Sequence, residues 1–252
     1  MNKRVVEKES MNILEVLFAI KNIPAIEIDQ KLHNLYGDKT CAVVGSAGKI
    51  LDYEHGSLID EHDIVIRCNQ APSDKYERYV GSRTDIRLIN SHYFTALKGN
   101  RPPSHARFIP SMKRYFPLFD ENFLYSLKDE ILVVKYGVDP KMFDAEIRKI
   151  EENNSVYFMN NGFYSAASQI VGAHATNGFV AILFALKYFS SVSCFGFTFC
   201  SEMHTPDWDK LYYFMPAIQP DNWKETDCHS NLRESELISE MLNHDVLKFY
   251  KC

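Results

Sequence analysis

The chain has 252 residues, 46% of them hydrophobic and 24% charged, with a formal net charge of -5. That is enough apolar material for a sizeable core, and the slightly acidic balance excludes a nucleic-acid-binding surface, which needs a clustered excess of Lys and Arg. No apolar run reaches the length of a membrane span, and the cysteines at 41, 68, 194, 200, 228 and 252 show no framework spacing, so reduced thiols are expected.

In chain order, residues 1–40 read as a helical or irregular lead-in. The run from Met11 to Ile20 has the pattern of an amphipathic helix, broken at Ile23-Pro24, where proline removes a donor and restricts its predecessor. The simplest role for this helix is packing on the core; the alternative is peripheral contact with a membrane surface through residues 11–20. Glu7, Glu9 and Glu15 set the run apart from a secretory signal, and a cytoplasmic location is the expectation. No core strand is predicted before Cys41.

From Cys41 the chain offers three short apolar runs, Ala42-Val43-Val44, Ile64-Val65-Ile66 and Ile86 to Ile89, each short enough to be a buried strand. The first two end in small and polar residues, Gly45-Ser46-Ala47-Gly48 and Asn69-Gln70-Ala71-Pro72, and strand ends are where open α/β sheets place ligands. Glycines there let a ligand approach backbone N–H groups. The loop is neither a dinucleotide fingerprint nor an ATPase phosphate loop, since Lys49 is not followed by Ser or Thr. Asp63 and Arg67 flank the second run, read as polar residues that hold the fold and pair across the strand entry.

Further strands are predicted at 107–109, 131–134, 156–159 and 192–195. Helices are predicted from Pro140 to Glu152, over 162–173, and from Thr176-Asn177-Gly178 onward, with Thr176 or Asn177 as N-cap. The free N–H groups at the start of that last, wholly apolar helix suit an anionic ligand. Strands alternating with helices argue for an α/β fold with a mostly parallel central sheet and helices on both faces. After Cys200 an aromatic, loop-rich segment containing Trp208, Tyr212, Tyr213 and Trp223 reads as a lid or acceptor wall, or else as a packed surface subdomain. A final helix begins near Asn231, its apolar face made by Leu237, Ile238, Met241 and Leu242. His229 and Glu234 stand at its start, where a carboxylate complements the helix dipole and an imidazole resists protonation, keeping it available as a base. Cys194, Cys200, His204, Cys228 and His229 lack the paired spacing of a structural zinc site, so no metal is expected. The domain reading is an extension over 1–40 and a single domain over 41–252.

These residues resemble a known family, the eukaryotic-type sialyltransferases. The large motif of that family is matched by Cys41-Ala42-Val43-Val44 with its Gly/Ser loop, by Asp60-Glu61-His62-Asp63-Ile64-Val65-Ile66-Arg67-Cys68-Asn69-Gln70-Ala71-Pro72, and by Val80-Gly81-Ser82-Arg83-Thr84. The small motif is matched less fully by Ala175-Thr176-Asn177-Gly178 and Phe195-Gly196-Phe197, without the family's proline and second hydroxyl residue. Tyr212-Tyr213 resembles the aromatic third motif, and His229 with Glu234 the very small one. The continuation Ile86-Arg87-Leu88-Ile89-Asn90-Ser91 resembles the branch acting at the 6-hydroxyl of galactose.

The resemblance implies a Rossmann-like, GT-A-type glycosyltransferase domain that takes a CMP-sugar donor and a glycan or glycolipid acceptor, inverts the anomeric configuration, and needs no metal or other cofactor. His229 would be the general base. Ser46, Asn69 and the backbone at Ala47 would hold the nucleotide; Thr176, Asn177 and Gly178 would contact cytidine or the sugar carboxylate; Tyr212 and Tyr213 would donate to the departing phosphate. Glu234 would cap or orient. The family's partner for Cys41 falls near Phe189, so Cys41 is expected as a free, buried thiol, as in a soluble, non-Golgi relative. Two rivals remain open: a transferase of the same fold using CMP-Kdo, and a non-catalytic CMP-sugar or glycan-binding protein.

Overall fold

The computed structural model describes residues 13–27, 30–97, 122–135, 137, 139–198, 213 and 231–250. The lead-in forms α1 (Ile13–Asn22) and a single turn, α2 (Gln30–His33). Strand β1 (Gly37–Val44) follows, then a short 3-10 turn, Gly48–Asp52. Next come α3 (Gly56–Asp60), β2 (Ile64–Cys68), α4 (Glu77–Val80), β3 (Ile86–Ile89), α5 (His92–Leu97) and α6 (Phe123–Ser126). The second half holds β4 (Ile131–Val134), α7 (Asp144–Glu151), β5 (Ser155–Phe158), α8 (Asn161–Val171), α9 (Asn177–Tyr188), β6 (Phe189–Phe195), α10 (Asn231–Asn243) and β7 (Lys248–Phe249).

The strands form one seven-stranded sheet in the order β5-β4-β3-β2-β1-β6-β7, with every pairing parallel. Alternation along the strands sends Cys41, Val43, Ile64, Ile66, Ile86 and Leu88 to one face. There they meet apolar residues of α1, α8, α9 and α10. Ala42, Val44 and Val65 point to the other face, against Ile50, Ile59 of α3 and Val80 of α4. Ile89, Leu132 and Val134 continue that second face under α5, α6 and α7. A parallel sheet covered on both sides needs strands that are apolar throughout, and β2, β3 and β4 are buried at nearly every position.

Helix α9 is apolar around its whole circumference, from Phe179 to Ala185 without a break, so it can only be a buried helix. It crosses β1, β2 and β6 and is itself covered by α1 and α8. The helix begins where Thr176 caps it, its hydroxyl accepting from the Phe179 amide at 3.1 Å.

Among the boundaries that differ from the sequence expectation, two bear on the fold. Strand β1 starts at Gly37, four residues ahead of Cys41, because its first turn of residues, Gly37-Asp38-Lys39-Thr40, is polar and gives no apolar signal. The segment before it is anchored to the same body: Ile20, Ala25, Ile26 and Leu32 are buried in the main core, and the Tyr188 hydroxyl accepts from the amides of Ala25 (3.2 Å) and Ile26 (3.4 Å). Position 41 therefore falls inside a strand. The helix expected from Pro140 is split, a 3-10 turn over Pro140–Phe143 leading into α7. The strand expected at 107–109 lies outside the described residues.

Among the described residues no helix is long and apolar enough to cross a membrane. Helix α1 packs on α8, α9 and α10, while Phe18 on it is 73% exposed. Cys41 and Cys194 are free thiols buried in the sheet, and burial pushes both upward from the usual thiol range. Cys194 of the considered metal cluster is thus a core residue; Cys200, His204, Cys228 and His229 lie outside the described residues.

Candidate active site

Strand order reverses at β1, which has β2 on one side and β6 on the other. Ligands of open α/β sheets bind outside the carboxyl ends of the strands at such a reversal. The loops leaving β1, β2, β3, β4 and β6 and the start of α9 all gather there.

The β1 loop is locked to the β6 loop by backbone. Gly45 N donates to Phe195 O at 2.7 Å and Ala47 N to Gly196 O at 3.1 Å. Gly45 has no room for a side chain, since a Cβ would collide with the Gly196 carbonyl, and Gly196 itself takes the left-handed φ of +67°. Gly45→Ala is therefore expected to force the two loops apart, at a cost of about 1–3 kcal/mol, read as a lower midpoint in denaturant titration. The Ala47 amide, expected to hold the nucleotide, is already bonded within the fold, and the Ser46 carbonyl accepts from Tyr213 N.

At the end of β2, Asn69 adopts φ +53°, a left-handed conformation that Asn tolerates better than most residues. Its amide bonds Leu88 O (2.8 Å) and its carbonyl accepts from Arg87 Nη1 (2.7 Å). Its side-chain Oδ1 accepts from Asn90 N (2.9 Å) and from Asn177 Nδ2 (3.0 Å). A backbone N–H can only donate, so the Asn69 atom facing Asn90 must be Oδ1 and the Asn177 atom facing Asn69 must be Nδ2. Asn177 Oδ1 is buried with no hydrogen-bond partner among the described residues. The Asn69 side chain thus bridges the end of β3 and the start of α9. By the geometry of a helix start, the backbone amides of Asn177 and Gly178 also lack an intrahelical acceptor.

Thr176 is held from the far end of the chain. Glu234 of α10 accepts from Thr176 N and from Thr176 Oγ1, both at 2.7 Å. Glu234 is 7% exposed, and burial raises its carboxyl above the ordinary 4.5, against the opposing pull of the Thr176 bonds and the Lys135 charge. A raised folded-state value favours the protonated form. Its contribution to stability is complete below 4.5 and is lost as pH rises through the folded value. Glu234→Gln removes that titration. Relative to wild type, the variant should gain stability as pH climbs from 4 towards 7, seen as a narrowing or reversal of the Tm difference.

The guanidinium of Arg67, fully buried, donates to Thr84 Oγ1 (3.0 Å), Val80 O (2.5 Å), Gly81 O (3.1 Å) and Arg83 O (3.1 Å). One forked side chain thereby shapes the Val80-Gly81-Ser82-Arg83-Thr84 loop, and burial lowers it to about 10. The expected pairing of Arg67 with Asp63 does not form. The two are four strand residues apart, roughly 13 Å, and Asp63 sits at the opposite edge of the sheet, accepting from Thr40 N and Thr40 Oγ1, both 2.8 Å.

Tyr213 also departs from expectation. Its amide bonds Ser46 O (3.1 Å) and its hydroxyl donates to Pro72 O. Burial first of all pushes this phenol up to about 12. The hydroxyl is used inside the fold, where a donor to the departing phosphate was expected, and Tyr213 ties its own segment to the β1 and β2 loops. Tyr212 and His229 lie outside the described residues.

Three supporting residues carry little local signal. Arg87 bridges Glu130 (2.5 and 2.8 Å) to the carbonyls of Asn69 and Ala71 (2.9 Å). Lys135, at the end of β4, is 8% exposed and donates to Ala175 O at 2.8 Å. In the sequence it is a lone cation after an apolar run, which ordinarily marks a strand emerging into solvent.

A covered parallel sheet with a helix N-terminus and convergent amides at its switch point is the arrangement that open α/β folds use to receive anionic ligands. The family assignment is equally direct: the profile of glycosyltransferase family 29 (sialyltransferase) matches residues 4–246, and the chain belongs to that family. Beta-galactoside alpha-2,6-sialyltransferase 2 of Gallus gallus is 28% identical over 236 residues, covering 83% of this chain and 36% of that protein. Sialyltransferase-like protein 2 of Arabidopsis thaliana is 31% identical over 188 residues, covering 69% of this chain and 36% of that protein. The chain thus spans little more than a third of the length of these relatives. In fold, it is similar to a crystal structure of a mammalian sialyltransferase in complex with Gal-beta-1-3GalNAc-ortho-nitrophenol, with TM-score 0.57 and 16% identity over 97% of this chain and 81% of that one.

Proposed function

We propose that this chain transfers sialic acid from CMP-sialic acid to a hydroxyl of a galactose-terminated glycan, with inversion and without a metal ion, on a GT-A-type framework. The observation that supports it best is the meeting of Asn69, Asn177 and the Thr176 cap at the start of α9. The helix start offers amides and a positive dipole end to the anionic groups of the donor. Fixed donors of this kind stabilise charge that develops on the departing phosphate. Ser46 and Asn69 hold the nucleotide, and Thr176, Asn177 and Gly178 face the sugar acid or cytidine. His229 takes the proton from the acceptor hydroxyl as that oxygen attacks the anomeric carbon. Glu234 orients Thr176.

CMP-Kdo is the second donor to test, because Asn177 stands where the family's small motif has a second hydroxyl residue. The experiment is release of CMP from each CMP-sugar with a galactose-terminated acceptor present. Turnover of CMP-sialic acid is the expected result. Turnover of CMP-Kdo alone moves the reading to the second donor, and CMP binding without any transfer moves it to a binding protein.

A further inference from the structure

The turn that opens α9 is gripped by two buried charged side chains of opposite sign from distant parts of the chain. Glu234 holds the Thr176 amide and hydroxyl. Lys135 holds the carbonyl of the preceding residue, Ala175, at 2.8 Å. Other polar groups of the turn are held as well: Ala175 N donates to Ser168 Oγ (3.3 Å), Asn177 O accepts from Cys68 Sγ (3.5 Å), and Asn177 Nδ2 donates to Asn69. The Lys135 ammonium lies 4.7 Å from the centroid of the Tyr164 ring, and the Tyr164 hydroxyl is 3.2 Å from His174 Nδ1. Burying an ammonium is costly unless charge and hydrogen bonds compensate it. Here the compensation comes from a carbonyl, an aromatic face and the opposing charge of Glu234, whose carboxyl the Lys135 charge draws downward. A neutral residue could fill the space at the end of β4. The cation does more, because it pulls the Ala175 carbonyl one way while Glu234 pulls the Thr176 N–H the other.

We propose that Lys135 is a positioning residue for the donor: with Glu234 it clamps the Ala175–Thr176 peptide from both sides and fixes where α9 presents its first amides and the Asn69–Asn177 pair. The clamp itself stands on geometry; its kinetic consequence rests on the donor-transfer reading above. Lys135 acts through the turn and does not touch the reacting atoms, so its loss should weaken donor binding and spare the chemical step.

The test uses the full chain with Lys135→Met, Lys135→Gln and Lys135→Arg, each checked for folding by thermal melt. Donor KM and kcat are measured with CMP-sialic acid, and amide hydrogen exchange is measured on the peptide covering residues 172–180. Lys135→Met should raise donor KM about 10-fold with kcat changed by no more than about threefold, and should speed exchange in that peptide about 10-fold while the sheet peptides keep their protection. Lys135→Arg should restore most of both. Lys135→Gln keeps a donor to Ala175 without the charge and should fall between; it also decides the matter if Lys135→Met does not fold. Unchanged KM and unchanged exchange in the neutral variants would overturn the clamp. So would equal losses in KM and kcat, with exchange rising throughout the chain and no rescue by Arg, which mark a general structural role. If the wild type turns over no CMP-sialic acid, the donor reading fails separately. CMP affinity and exchange in the same variants then decide the clamp, and no change in either overturns it.

Discussion

His229→Ala should lower kcat for sialyl transfer by about 10³-fold while leaving CMP affinity within a few-fold of wild type, since a positioned general base contributes roughly 10²–10⁴-fold. Glu234 is held on Thr176, so the first turn of α10 is fixed against the start of α9. His229 lies five residues before Glu234 in the sequence. In the proposed mechanism the base serves the acceptor hydroxyl while Ser46 and Asn69 hold the nucleotide, so the rate should fall and the nucleotide affinity should not. Steady-state rates with saturating acceptor, set beside calorimetric CMP binding, separate the two. A variant with wild-type rate would remove His229 from the mechanism.

The largest stability effect is expected at the buried ion pair. Glu130 and Arg87 are joined by two bonds, and their side chains are 10% and 4% exposed. Arg87 also donates to the carbonyls of Asn69 and Ala71 and to Thr84 Oγ1. Glu130→Ala leaves that guanidinium buried with carbonyls but no counter-charge, and breaking such a pair costs about 3–5 kcal/mol. For a chain of this size that is a Tm lower by roughly 10 °C. The paired variant Glu130→Leu with Arg87→Met should recover part of the stability, because two apolar residues replace both charges together. It should not recover donor affinity, because nothing then fixes the Asn69 carbonyl. Recovery of both would show that Arg87 has no bearing on the site.

Most of the framework could be read along the chain because the strands are parallel and covered on both faces. Runs such as Ile131 to Val134 have no polar alternation and stand out as short apolar blocks. The Thr176 cap was equally readable, being a local rule. The beginning of β1 was hidden because its polar first residues look like a loop, and β7, two residues long, carries no pattern at all. Around the candidate site, the motif segments could be read from the chain and the residues that brace them from a distance could not. Arg87 and Glu130 are 43 positions apart and Lys135 and Ala175 are 40 apart, so each partner looks ordinary on its own. The supposed Asp63–Arg67 pair shows the reverse error: nearness in sequence suggested a contact that an extended strand forbids. Tyr213 was assigned to the ligand from its resemblance to the family's aromatic third motif, while its hydroxyl is given to Pro72.

The neighbour relation of β1 and β6 has a consequence for how the chain reaches this state. Val43 and Cys194 are register partners across about 150 residues of intervening chain, and parallel pairings with so long a loop form slowly. Until β6 arrives, β1 is an open apolar edge, ready to pair with another chain. The backbone lock between the Gly45 and Gly196 loops cannot exist before that moment. During synthesis, residues 37–97 can assemble early, yet they wait for the second half of the chain to close the sheet. Aggregation in the cell should therefore be greatest for chains interrupted between β5 and β6, and nucleotide binding should be the last property to appear on refolding.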